Sequence, residues 1–334
     1  MSIYTIAKLA KVSPSTVSKV INGKEGVGEQ TREIILKIIR EQEYTPKISA
    51  NKANSIALFM RPEGNVFESE YLTRTLRGLS DKFFEKGYDM QLISSYKVPK
   101  DKNEFKVFCH TQRILACVFM DLKLDDHFVS NIAGVVPIVT INRKAQGEDV
   151  YSLSSNDYEG SRQAMRYFHE MGHTKIAFVT LDLSFKSHKE RYAAYCDSLK
   201  EFNIPYKEDY IFDEVTFSKL KLTIENLEQR NDLPTAILCM NDQEAIKTIT
   251  VLNDLNKRVP EDISVVGFDD YDFSEHMTPQ LTTVRQQIYE MGNKAASIII
   301  DRTTQKIVYD KNNADFTFDT RLNVRRSVKN LNEN

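Results

Sequence analysis

The sequence predicts an α/β protein: a small all-α N-terminal unit followed by a two-lobed body built on parallel sheets. Three observations lead there. The first 45 residues place apolar side chains at helical spacing. From Ile56 onward, short apolar runs alternate with helical stretches, as in parallel sheets covered by helices. That alternation restarts after Asn156-Asp157, which implies two similar halves with a cleft between them. At 334 residues the chain is too long for one ordinary core.

In order, Thr5 suits the N-cap of a first helix carrying Ile6, Leu9 and Ala10. Ser13 suits a second N-cap, and Pro14 sits where a first-turn proline loses no hydrogen bond. In the second helix Val17, Val20 and Ile21 share an apolar face. Ser15, Ser18, Lys19 and Asn22 share the opposite one, a composition that can lie in a major groove. A third helix is expected over 31–43, burying Ile34, Ile35, Ile38 and Ile39 and stopped near Pro46. The small polar stretch 46–55 reads as a linker. Strands are then expected over 56–60, 90–93, 114–120 and 137–141, with a helix over 71–86 stopped by Gly87. The second half reads as helix 158–171, strand 175–180, helix 187–202, and strands 210–212, 236–240 and 263–268.

Charge is distributed unevenly. The first 24 residues hold Lys8, Lys11, Lys19 and Lys24 and no acid, so they carry +4 while the whole chain carries −2. The remainder is therefore −6, and a positive end on an acidic body suits phosphate contact at one place. These residues alone equally allow a small helical hairpin with solvated lysines. No apolar run approaches a membrane span. The polar N-terminus lacks a signal-peptide core, so the expected location is cytoplasmic, without a membrane partner. Cys109, Cys117, Cys196 and Cys239 lack CxxC spacing and read as reduced thiols.

Enzyme chemistry finds little support, and no metal or cofactor is expected. His169-Glu170-Met171-Gly172-His173 matches the zinc-protease pattern, but Gly172 should end the helix and put His173 beyond it. The glycines at 23, 26 and 28 follow a helix and have the wrong spacing for a phosphate loop. No nucleophile elbow is present.

The stretch Tyr4-Thr5-Ile6-Ala7, with Val12-Ser13-Pro14-Ser15-Thr16-Val17-Ser18-Lys19-Val20-Ile21-Asn22, resembles the headpiece of the lactose-repressor/galactose-repressor (LacI/GalR) family. The likeness continues through Thr31-Arg32 and Tyr44-Thr45-Pro46. It recurs in Gly172-His173, Asn241-Asp242, the segment 263–270, Leu281-Thr282-Thr283-Val284 and Arg325-Arg326-Ser327. It implies a helix-turn-helix headpiece (1–45), a hinge (46–55) and a two-lobed, periplasmic-binding-protein-like body (56–330). The N-lobe would take 56–155 and 286–317, and the C-lobe 156–284 and 318–330, with crossings near Asn156, Arg285 and Phe318. With only seven residues after Ser327, no tetramer-forming helix is expected, and a homodimer is the reading.

DNA contact is thus expected from Thr5, Pro14, Ser15, Thr16, Ser18, Lys19, Asn22 and Thr31, and hinge roles from Ile48, Ala50 and Ala53. Lys19 stands where the family usually has arginine, and Lys11 where it has the turn glycine. Ala53 stands where a hinge leucine would wedge the operator, so hinge-driven kinking is expected to be weak. At the body's strand ends lie Arg61, Asp121, Asn142, Asn241, Asp242 and Asp269, where open parallel sheets bind ligands. Asp242 reads as a helix cap. Asn142, Asn241 and Asp269, with Arg191 by resemblance, are the expected effector contacts. Ala194 and Asn142 depart from the family's usual Gly and Asp. Arg191 and Asp269 are expected to be dispensable for folding, and Phe217 and Phe273 to serve core packing.

The function so implied is a dimeric transcription regulator, a repressor of carbohydrate-utilisation genes. It would read a near-palindromic double-stranded operator and respond to a sugar or sugar phosphate between its lobes. The alternatives are control by a protein partner or corepressor, or a cytosolic binding protein without regulation.

Overall fold

A computed structural model of the chain describes residues 3–21, 26–42, 55–61, 69–120, 122–213, 216–304 and 315–333. Asn22, Tyr44, Thr45, Pro46, Ile48, Ala50, Ala53 and Asp121 lie outside the described residues. The chain forms two compact units: unit 1 takes Met1–Glu68, Thr75–Leu153 and Gly292–Phe316, and unit 2 takes Ser69–Arg74, Ser154–Met291 and Thr317–Asn334.

Unit 1 begins with three helices, α1 (Ile3–Leu9), α2 (Pro14–Ile21) and α3 (Glu29–Glu41). They close on Ile6, Ala7, Val17, Val20, Ile21, Ile35 and Ile39. Two expectations change here, the Thr5 cap and the burial of Ile34. Thr5 lies inside α1 and is not its cap, because the helix already runs from Ile3. Ile34 is 52% exposed and Leu9 49%. Ile35 and Ile39 are one turn apart on the inner face of α3, and Ile34 sits about 100° round from Ile35. The turn after α1 is a Schellman cap, with Lys11 N–H donating to Lys8 O at 3.3 Å and Val12 N–H to Ala7 O at 3.0 Å. Lys11 takes the left-handed position at φ 52° where glycine fits best. Ser13 caps α2 as expected: its Oγ accepts from Thr16 N–H at 3.1 Å.

The rest of unit 1 carries β1 (Ser55–Met60), α4 (Glu70–Glu85, with its first turn in unit 2), β2 (Asp89–Ser94), α5 (Lys102–Gln112), β3 (Ile114–Phe119), α6 (Phe128–Ile132), β4 (Ile138–Ile141), β5 (Val150–Ser155, in unit 1 as far as Leu153) and α11 (Ile288–Thr303, in unit 1 from Gly292). With β11 (Asp315–Phe318) the strands order as β11-β5-β4-β3-β1-β2, and the β1 to β5 pairings are parallel. Central β1 is buried along its whole length, whereas edge strand β2 is half open. Strand β5 was not foreseen: Val-Tyr-Ser-Leu-Ser-Ser lacks an apolar run, and its serines are tucked into the sheet.

Unit 2 carries α7 (Asp157–Glu170), β6 (Ile176–Val179), α8 (Lys186–Glu201), β7 (Ile211–Phe212), α9 (Phe217–Gln229), β8 (Ala236–Cys239), α10 (Asp242–Asp254), β9 (Ser264–Asp269), β10 (Thr282–Arg285) and β12 (Arg321–Asn323). The order is β12-β10-β9-β8-β6-β7, parallel except for the β10–β12 pair. Helix α7 lies so close to the sheet that a Cβ at Gly160 would meet Phe268 Cζ and Thr320 Oγ1 at 2.8 Å. Its C-terminus is closed by Gly172 at φ 84°. His173 then turns into the core, 1% exposed, with Nδ1 3.0 Å from Thr235 Oγ1 and Nε2 3.1 Å from Lys329 O. His169 instead stacks on Phe202 outside, at 4.3 Å. The two histidines therefore do not share a helix face, and both ring nitrogens of His173 are occupied. All four cysteines are free thiols.

Candidate functional site

On α2 the apolar face is spent on the three-helix core, which leaves the other face outward. Ser15 and Lys19 are exposed, and Thr16 and Ser18 half-buried. Ser13 Oγ lies 2.6 Å from Ser15 Oγ and 2.8 Å from Thr16 Oγ1, so the cap also orients these two hydroxyls. Pro14 opens α2, Thr31 lies in the first turn of α3, half-buried, and Thr5 and Lys8 are exposed on α1. A rigid helix with one outward stripe of hydroxyls and an ammonium suits base edges, while Lys8 suits phosphate.

In unit 2 a second group of polar residues gathers at the carboxyl ends of the strands. Arg191, on α8, is 5% exposed. Its Nε and Nη2 both lie 2.8 Å from Asp157 Oδ1, and its Nη1 donates to Met240 O at 2.6 Å. Nη2 also reaches Asp269 Oδ1 at 3.5 Å, and the guanidinium covers the Phe268 ring at 3.6 Å from its centroid. Gln286 Nε2 donates to Asp269 Oδ1 at 2.5 Å. Burial opposes the Arg191 charge, but Asp157 and then Asp269 hold its pKa above the usual value. Burial raises Asp269, an effect that Arg191 opposes. Asp157 Oδ2 and Gln286 Oε1 are buried without a hydrogen-bond partner among the described residues. Buried acceptors of this kind are costly unless something else satisfies them.

Arg191 and Asp269, each named from the sequence, come within 3.5 Å of one another, whereas Asp157, Gln286 and the Met240 carbonyl were not named as site residues. Asp157 carried only the signal of an acid at a helix start. Removing Arg191 would leave the buried Asp157 and Asp269 without their counter-cation, which argues against the expectation that it is dispensable for folding.

The helix cap expected of Asp242 falls to Asn241 instead. Asn241 is the N-cap of α10, its Oδ1 accepting from Glu244 N–H at 2.8 Å. Asp242, wholly buried, joins separate segments instead. It accepts from Tyr271 N–H at 3.0 Å, from Ser274 Oγ at 2.5 Å and from Thr283 Oγ1 at 2.5 Å. Burial, with Asp269 nearby, pushes Asp242 up to about 7.

Asn142 ends β4 in unit 1 at φ 55°, its N–H donating to Leu153 O at 2.7 Å. Arg61, at the end of β1, is held by Asp126 at 2.5 Å. Phe217 is 40% exposed and so is not a core residue, although its spacing as the first residue of α9 puts it on the same helix face as the buried Leu220 and Ile224. Phe273 is half-buried, edge-on to Tyr271.

Comparison with known proteins fits this arrangement. Residues 2–47 match the model described as bacterial regulatory proteins, lacI family, and residues 165–328 match a periplasmic binding protein-like domain. The probable HTH-type transcriptional repressor ExuR of Bacillus subtilis (strain 168) is 30% identical over 343 residues, covering 99% of both chains. The chain belongs to the LacI family. It is a DNA-binding transcriptional regulator, and α1 to α3 form its LacI-type headpiece. The repressor PurR of Aliivibrio salmonicida (strain LFI1238) is 28% identical over 314 residues, covering 91% of this chain and 93% of that one. Among solved structures, the transcriptional regulator CelR–cellobiose complex aligns with a TM-score of 0.70 at 25% identity, over 98% of this chain and 99% of that one. The lac repressor dimer bound to operator and an anti-inducer shares the fold at TM-score 0.67 and 21% identity, over 98% and 99%. Among the described residues no helix is long and apolar enough to cross a membrane.

Proposed function

We propose that the chain is a homodimeric, cytoplasmic repressor of carbohydrate-utilisation genes that reads a near-palindromic operator and is controlled by a sugar. The headpiece is assigned to 1–45, the hinge to 46–55 with Ile48, Ala50 and Ala53, and the body to 56–330. In the body, 56–155 with 286–317 forms the N-lobe and 156–284 with 318–330 the C-lobe. Thr5, Pro14, Ser15, Thr16, Ser18, Lys19, Asn22 and Thr31 contact DNA. Asn142, Arg191, Asn241 and Asp269 contact the effector.

The observation that carries this reading is the buried Arg191–Asp157–Asp269–Gln286 cluster beyond the strand ends of unit 2. Its acceptors at Asp157 Oδ2 and Gln286 Oε1 have no partner among the described residues, and they suit ligand hydroxyl groups as donors. The single guanidinium is already committed to carboxylates and a carbonyl. That favours an uncharged, hydroxyl-rich sugar over a sugar phosphate, whose charge would meet Asp157 and Asp269. A relative of known structure, CelR, was solved with cellobiose, an uncharged sugar of this kind.

Titration calorimetry with neutral mono- and disaccharides, sugar acids and sugar phosphates tests the reading. A neutral sugar should bind to the wild type and bind at least tenfold more weakly to Asp269→Asn. If no small molecule in the panel binds, control passes to a protein partner or corepressor.

A further inference from the structure

His188 lies on α8 three residues before Arg191, so the two side chains share a face of that helix. Phe185, at the N-cap of α8, begins the same stripe. All three belong to unit 2. Arg191 and Asp157 both act electrostatically on His188, which puts its imidazole beside the buried cluster.

The imidazole is held in one orientation. Its Nδ1 lies 2.8 Å from the carbonyl oxygen of Asp182, in the loop between β6 and α8. The Phe185 ring meets it edge-on, with centroids 5.4 Å apart and planes at 62°. A carbonyl oxygen can only accept, so Nδ1 carries the proton. Burial, and then the Arg191 charge, lower the His188 pKa below its ordinary 6.5, against the opposing effects of Asp182 and Asp157. At pH 7 the ring is therefore neutral, and Nε2 keeps a lone pair. His188 is half-buried, and no described residue donates to its Nε2.

The neighbouring polar atoms have the same character. Asp157 Oδ2 and Gln286 Oε1 are buried acceptors without a partner among the described residues. Arg191 is already spent on Asp157, Asp269 and the Met240 carbonyl. Asp157 Oδ2, Gln286 Oε1 and His188 Nε2 thus all await donors. A neutral polyhydroxylated sugar supplies them, whereas an anion would bring acceptors to acceptors.

We propose that His188 is a further effector-binding residue, its Nε2 accepting a hydrogen bond from a hydroxyl of the bound sugar while the Asp182 carbonyl fixes the ring from the other side. The contact rests on the assignment of the Arg191 cluster to the effector; the state of the imidazole does not. A second proton, at Nε2, would turn the acceptor into a donor and set a cation beside Arg191, so sugar binding weakens as pH falls. Around the ring, Asp182 and Asp157 favour that proton and Arg191 opposes it. Asp242 and Asp269 also have raised pKa values in unit 2. The share due to His188 is therefore the difference between wild type and a variant that cannot titrate at that position.

Two measurements on the full chain test this. In nitrogen-15 spectra of histidine side chains at pH 7, the signal that His188→Gln removes should be the neutral ring protonated at Nδ1. A charged ring, or one protonated at Nε2, overturns the proposal without any ligand. Calorimetry at pH 7.5 then uses whichever of glucose, xylose, cellobiose and maltose binds most tightly. His188→Phe, which keeps a ring and removes the acceptor, should bind roughly three- to tenfold more weakly, the range of one net hydrogen bond. His188→Gln, which keeps an acceptor and cannot charge, should lose less affinity than the wild type between pH 7.5 and pH 5.5. If His188→Phe does not fold, that pH comparison decides. Equal affinity in wild type and His188→Phe, or equal acid losses in wild type and His188→Gln, overturns the proposal and leaves the effector reading standing. A wild type that binds none of these sugars overturns the neutral-sugar reading of the site, and the His188 contact falls with it even if the imidazole has the expected proton.

Discussion

Asp157 Oδ1 lies 2.8 Å from both Nε and Nη2 of Arg191, and both side chains are almost completely removed from solvent. The pair ties the first turn of α7 to α8. Taking two charges out of water is expensive, and removing one leaves the other without compensation. Arg191→Ala should therefore destabilise the protein by about 3–5 kcal/mol. Asp157→Asn, which keeps an acceptor oxygen, should cost less. Urea unfolding of the three proteins measures this, and an Arg191→Ala variant within about 1 kcal/mol of wild type would contradict the structural role.

Acid should weaken unit 2 through His173. Burial lowers this histidine from its ordinary 6.5 to about 4, although the bond to Lys329 O opposes the shift. As pH falls, the unfolded chain takes up the proton first, so the contribution is whole above pH 6.5 and is lost on the way to pH 4. About 1–3 kcal/mol should disappear across that window. His173→Gln should flatten the loss in urea unfolding measured between pH 7 and pH 4.5; an equally steep profile in the variant would assign the effect elsewhere.

Lys11 holds a left-handed turn position at φ 52°. Such a position costs an L residue roughly 1–2 kcal/mol, and glycine gives back about 0.5–1 kcal/mol in unfolded-state entropy. Lys11→Gly should thus stabilise the headpiece by about 0.5–1 kcal/mol. Hydrogen exchange of α1 and α2 amides in the full chain should slow roughly two- to fivefold. Faster exchange would mean that the lysine side chain contributes more than its backbone costs.

Much of this was legible in the sequence, because backbone order follows local pattern. Gly87 and Gly172 stop helices where expected, and Ser13-Pro14 opens α2. Strand β5 was not legible, since its buried serines mimic a loop. The roles of Asn241 and Asp242 were not legible either: both types cap helices, and the choice depends on Thr283 and Ser274, some 30 to 40 residues away. Arg191 could be placed at the site, but its partner Asp157 lies 34 residues upstream with no spacing rule to connect them.

The linker prediction concerns Ala53. A leucine there would add apolar surface whose burial is worth roughly 1.5–3 kcal/mol. Wild-type protein should bend its operator weakly and bind with steep salt dependence, and Ala53→Leu should bind more tightly or bend more. Gel phasing compares the two, and a strong bend at the same angle in both would move the wedge to another residue such as Ile48.

Reading of DNA by the outward face of α2 is tested most directly at Lys19. In titrations against an operator selected in vitro from random DNA and its single-base variants, Lys19→Ala should lose about 1–3 kcal/mol of preference at one base pair per half-site. Lys8→Ala should weaken binding to every sequence alike, as a phosphate contact does. A Lys19→Ala protein whose base preferences match those of the wild type would contradict the assignment of that face.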